Sequence, residues 1–194
     1  MHFTIIHKIL LSFLITVCLT SCISYTKEDF IKNYNKKEDE ILGLKKYFST
    51  IVPADKKVEI EFENDNRLFR FGVYPIDPKT EWINYPIFLE WNLDVHSKKV
   101  DSVLTSMNWN AETLKRIKEK LDAANCIQIE SGEPTKIGYQ RSGMGMYSYN
   151  IFDKPISDSL KSKYSDSCSY ILYHDKLVLE YGGGAIGPQC FSNN

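Results

Sequence analysis

The sequence predicts an α+β domain: a mostly antiparallel sheet of roughly eight strands with helices packed on one face. Strand-like runs such as 57–63 (KVEIEFE) alternate with period two and end in turn residues. Helix-like runs with a period near 3.6 stand between blocks of strands, and no internal repeat or low-complexity stretch interrupts the pattern.

The elements follow in order. Thr26 to about Thr50 reads as a long helix. Thr26 caps it, Glu28 and Asp29 suit its positive end, and Phe30, Tyr34, Ile41, Leu44 and Phe48 form one apolar stripe before Pro53 stops it. Residues 57–63 read as a half-exposed strand. Asn64-Asp65-Asn66 is turn chemistry, and residues 67–74 return as the second arm of a hairpin. A Pro-bounded loop holding Trp82 leads to a strand at 87–95, where Trp91 sits in an apolar run and reads as buried. Ser97 caps a short helix to about Met107. Asn110 caps a clearer one over 111–124, with Leu114, Ile117 and Leu121 as its buried stripe. Trp109, just before that helix, reads as a buried staple. Strands follow at 126–130, 136–141 and 146–152, then a weak helix at 157–164 and a hairpin over 169–173 and 176–181. Both faces of that hairpin are apolar, which predicts a central place in the sheet.

The first 22 residues have a different character. Lys8 supplies a positive start, residues 9–18 (ILLSFLITVC) are an apolar run, and Leu19-Thr20-Ser21-Cys22 ends it. That layout is a secretory signal; the run is too short for a spanning helix, which needs roughly 20 residues. Leu-Thr-Ser-Cys resembles the lipobox of bacterial type II signal peptides, in which the Cys thiol takes a diacylglyceryl group and the chain is cut before it. The resemblance implies a lipoprotein of the cell envelope: 1–21 as signal peptide, 22–26 as lipidated Cys22 and a short tether, and 27–194 as one α+β domain. Two or three acyl chains hold a protein stably at about 0.8 kcal/mol per buried methylene. In such lipoproteins an Asp after the Cys can mark inner-membrane retention. Ile23 stands there instead, so the resemblance implies the outer membrane, on its periplasmic or surface face. Lys27-Glu28-Asp29 weakly resembles the acidic tether of Bacteroidetes-type surface lipoproteins, and the charged first turn of the helix is the preferred reading. Only a few residues separate Cys22 from that helix, so either the domain sits close to the bilayer or the helix, about 35 Å long, is itself a stalk.

Removing residues 1–21 leaves 173 of 194, with 23 basic against 25 acidic residues, a net charge of −2. That length suits one domain. A near-neutral chain without a basic block excludes nucleic acid as the expected partner. Of five cysteines, Cys126, Cys168 and Cys190 remain beyond Cys18 and Cys22. An oxidising compartment permits a bridge, and Cys168–Cys190 would close the C-terminal hairpin and glycine-rich segment. Three buried thiols are the alternative.

The candidate sites are weakly marked. Residues 182–187 (GGGAIG) follow a strand, but Pro188 comes next, no Lys-Ser/Thr pair follows and no complete dinucleotide fingerprint is present. A tight turn is the simpler reading, with Gly182, Gly183 and Gly184 letting backbone lie close to a partner. Ser142-Gly143-Met144-Gly145-Met146 joins two strands. Met144, Met146, Tyr147 and Tyr149 read as contacts for another envelope protein, or else as hairpin residues folded on the core. Trp82 could stack on a sugar ring in a glycan-binding accessory lipoprotein. Catalysis and metal binding have no motif: His96 and His174 lie far apart, and H-E-x-x-H, paired C-x-x-C and G-x-S-x-G are missing. A hydrolase built on His174 with Asp166 or Asp175 is the remaining enzyme reading. The sequence therefore points to a lipid-anchored envelope protein that binds a partner without cofactor, metal or evident catalytic site.

Overall fold

The computed structural model describes residues 25–77, 85–164, 166, 168–183 and 187–191. Among them, one eight-stranded antiparallel sheet carries four helices. Helix α1 (Lys27–Ile51) opens with a reciprocal cap: the Asp29 N–H donates to Thr26 Oγ1, and the Thr26 N–H donates to the Asp29 carboxylate. Its predicted stripe, from Phe30 to Phe48, is buried. Strands β1 (Lys56–Asn64), β2 (Arg67–Pro75) and β3 (Phe88–Asp94) form a meander. Helices α2 (Lys98–Ser106) and α3 (Ala111–Ala123) follow, capped by Ser97 and Asn110, whose side chains accept the N–H groups of Val100 and Thr113. Strands β4 (Gln128–Glu130), β5 (Thr135–Ser142) and β6 (Gly145–Ile151) come next, then α4 (Asp158–Lys163), β7 (Tyr170–His174) and β8 (Leu177–Gly182). The strand order is β3-β2-β1-β4-β5-β6-β8-β7. The α2–α3 pair carries the chain from the β3 edge back to the middle of the sheet.

The main core lies between the sheet and α1–α3. Val58, Ile60, Phe71, Val73, Ile129, Ile137, Leu177 and Leu179 meet Leu44, Phe48, Leu104, Ile117 and Leu121. Under the first turns of α1, Phe30 stacks on Tyr139, Tyr147 and Tyr149, with centroids at 5.7, 5.3 and 4.4 Å. The helix is thus part of the domain rather than a stalk. A second, small core of Phe152, Ile156, Tyr164 and Val178 lies on the opposite face, where the segment around α4 crosses β6 and β8.

Three expectations change. The 57–63 strand is not half-exposed, because long side chains of β2, β4 and β5 fold over Glu59 and Glu61 and bury both. The terminal hairpin is not central: β7 is an edge strand with Leu172 exposed, and β8 is apolar on both faces because each of the two cores uses one. Helices α1–α3 pack on one face as expected, and the segment flanking the short α4 adds the small core on the other. Trp91 is not buried; it is 49% exposed on edge strand β3. Trp109 is buried as expected, its indole N–H donating to the Ile51 carbonyl at 2.9 Å.

Candidate functional site

Side chains alternate across a strand, so the residues between the core positions share the face that α1–α3 leave open. From β2 to β8 these are Arg70, Glu59 and Glu61, Gln128 and Glu130, Lys136 and Arg141, Ser148 and Asn150, and Glu180. They pair across strands. Arg70 contacts Glu59, and Lys57 contacts Glu130. Arg141 clasps Glu61 with two bonds, Nε to Oε1 at 2.7 Å and Nη2 to Oε2 at 2.8 Å. Gln128 Nε2 donates to Glu59 Oε1 at 2.6 Å. Lys136 and Asn150 both donate to Glu180, at 2.7 and 2.8 Å. The result is a lattice of matched charges in the middle of the sheet, with the Glu61 carboxylate only 1% exposed.

Burial raises the pKa of Glu59; Arg70 opposes that shift, and the neighbouring carboxylates of Glu130 and Glu61 add to it. Two buried polar atoms of this face have no protein partner, Arg70 Nε and Ser148 Oγ. Both residues line a recess of about 60 Å³ shared with Glu59, Gln128, Arg141 and Met146. Space of that size holds ordered water rather than a drug-sized ligand. Gly138 lies beneath Met146 and Gln128, where a Cβ would collide with both side chains. Beside Arg70, Trp91 faces solvent on the same side of the sheet, paired across β2–β3. Exposed Ile87 and Tyr85 precede it.

Of the residues singled out in the sequence, Met144, Met146, Gly182 and Gly183 meet at the recess beside Arg70 and Ser148, while Tyr147 and Tyr149 face the opposite way. Tyr147 and Tyr149 are buried under α1, so neither can touch a partner. The Tyr149 hydroxyl donates to the Phe30 carbonyl at 2.9 Å and accepts from Asn33 Nδ2 at 3.1 Å. Met146 is buried over Gly138. Met144, 67% exposed at the β5–β6 turn, is open to contact and lines the recess together with partly exposed Gly183. Gly182 is buried at φ +146°, where a Cβ would meet the backbone of Pro188, Gly187 and Gln189, so its need for glycine is internal packing. The Gly183 N–H donates to the Gly187 carbonyl and is not offered to a ligand. Cys168 and Cys190 are joined by a disulfide. Cys126 is buried and free, its thiol pushed well above the usual range by burial. Cys22, Trp82 and Gly184 lie outside the described residues.

Enzyme chemistry finds little geometry. Asp166 accepts the N–H groups of Cys168, Ser169 and Tyr170 at the start of β7, while His174 sits at the other end of that strand against Tyr173 and Tyr34. Asp166 therefore shapes a turn and does not orient His174. Among the described residues no three His, Cys, Asp or Glu side chains converge as metal ligands, and no helix is long and apolar enough to cross a membrane. A larger hollow of about 460 Å³ lies between the β1–β2 turn and α3, floored by Phe62 and Leu114. Its charged side chains answer one another, Lys118 with Asp65 and Asp122 and Lys115 with Glu119.

Sequence reasoning missed the charged lattice and the exposure of Trp91. One signal was legible: Glu59 and Glu61 alternate on a strand while Arg70 and Arg141 stand on others, but the pairing needs the strand order. Comparison with protein-family models, curated proteins and solved structures finds no match for the chain.

Proposed function

We propose that the protein is a lipid-anchored binding protein of the cell envelope, held by acyl chains on Cys22. It recognises another envelope protein through the open face of its sheet and performs no catalytic step. The observation that carries this reading is Trp91: a large aromatic side chain, about half exposed, set beside Arg70 on a face that α1–α3 leave open. Trp and Arg are the residue types that dominate binding energy at interfaces. The paired charges around them fix which partner surface is complementary more than they add raw affinity. The lipobox at Leu19–Cys22 supports the anchoring, and Ile23 the outer membrane. Near-neutral charge leaves no basis for a nucleic-acid partner.

The test is a native pull-down of the full lipoprotein, solubilised in mild detergent from its own membranes, compared with Trp91→Ala. A stoichiometric protein partner should be captured by the wild type. Binding by the variant should weaken by about 2 kcal/mol or more, roughly thirtyfold, with an unchanged melting temperature. A clean, partnerless monomer would sink the reading. Glycan binding is the second reading, favoured by the same Trp91 standing next to the planar guanidinium of Arg70, with Glu59 and Gln128 farther along the same face. It predicts a sugar-induced fluorescence change that Trp91→Ala abolishes.

A further inference from the structure

We infer that the β5–β6 turn rests in the membrane interface, with Met144 as a second point of attachment beside the lipid. The inference rests on the proposal that Cys22 is lipidated. It is carried by where the chain leaves the domain. Ser142 Oγ, at the end of β5, donates to the Tyr25 carbonyl at 3.3 Å, and the Tyr25 ring meets Tyr139 edge-on at 5.5 Å. Tyr25 is therefore fixed beside the β5–β6 turn. Three residue steps separate it from Cys22, so the two Cα atoms are at most about 11 Å apart whatever path the chain takes. Acyl chains on Cys22 in the bilayer would bring that turn to its surface.

The chemistry of the turn suits that place. Residues 142–149 and 181–191 contain no Asp, Glu, Lys, Arg or His, in a chain that is 25% charged. The described residues of the two segments meet at one end of the sheet: Met146 pairs with Gly182, the Tyr181 hydroxyl donates to the Ser142 carbonyl at 3.2 Å, and Gly182 bridges to Pro188. Placing uncharged groups at the headgroup boundary avoids the desolvation that a charged side chain would suffer. Met144 is 67% exposed at the rim of the recess beside Arg141, with an unbranched thioether that adapts to irregular apolar surroundings. The β1–β2 turn, at the same end of the sheet but several strands away, is polar (Asn64, Asp65, Asn66), so the contact belongs to the β5–β6 side. The strands then run away from the bilayer, and the open face of the sheet looks sideways, where a partner can reach it.

The test uses the full lipoprotein, purified and reconstituted into vesicles of phosphatidylethanolamine and phosphatidylglycerol. Cys126 is buried and Cys168 is bridged to Cys190, so an introduced thiol can be labelled alone with a nitroxide. Labels go at Met144→Cys and, at the far end of the sheet, at Asp175→Cys. The expected result is loss of collisions with a water-soluble nickel chelate and a gain in collisions with oxygen at position 144, while position 175 stays water-like. Vesicles that float with the protein but leave position 144 as wet as position 175 overturn this inference and leave the lipid anchor standing. Protein that does not float, with an unmodified Cys22 by mass spectrometry, overturns both.

Discussion

Glu61 sits at the centre of the sheet with its carboxylate almost wholly removed from water and both oxygens held by Arg141. The two partners are not equivalent, because Arg141 keeps about a third of its side chain exposed and also lies over the Phe69 ring at 4.4 Å. Removing the cation strands a buried anion; neutralising the anion leaves a cation that water can still reach. Arg141→Ala should therefore lower the free energy of unfolding by about 3 kcal/mol, and Glu61→Gln by only about 1 kcal/mol. Urea unfolding of the two variants checks the order, and equal losses would contradict the geometry. Trp91 makes the complementary point. An apolar run in sequence reads as buried, yet on an edge strand the same residue stands with one side in solvent. Periodicity alone does not locate the edge.

Among the elements, α1 was the most legible. Its cap, its apolar spacing and Pro53 are local features, and each acts within a few residues. What the spacing does not contain is the surface that receives the stripe. Phe30 is fully buried against three tyrosines from β5 and β6, strands more than a hundred residues later in the chain. Phe30→Ala should accordingly destabilise the whole domain by about 3–5 kcal/mol, rather than fray one helix end. Thermal unfolding followed by both far-ultraviolet and tyrosine signals should stay coincident and move together. Loss of helix signal alone would mean that α1 is a loosely attached stalk after all. The same packing explains why Tyr147 and Tyr149 are not contacts for a partner. Their alternation correctly puts them on one face, but the identity of that face was settled by α1.

For the whole molecule, the Cys168–Cys190 bridge ties the start of β7 to the segment that returns along β8. There the Phe191 N–H also donates to the Cys168 carbonyl at 2.8 Å. A loop with a sequence separation of 22 contributes about 3 kcal/mol in the chain-entropy model, so reduction should lower Tm by about 5–10 °C. Non-reducing peptide mapping should join Cys168 to Cys190, with Cys126 alkylated only after unfolding. Taken alone, the sequence determined the α+β class, the order and approximate bounds of the strands and helices, the caps at Thr26, Ser97 and Asn110, and the apolar stripes. All of these depend on interactions within a turn or a strand, where residue type and spacing are sufficient. Only the tertiary structure decided the strand order, the edge position of β3 and β7, the charged lattice from Arg70 to Glu180, and the neighbourhood of Tyr25 and the β5–β6 turn. Those arise when segments distant in sequence become neighbours, and whether a side chain is a core residue, a paired charge or an exposed contact depends on what the rest of the chain places against it.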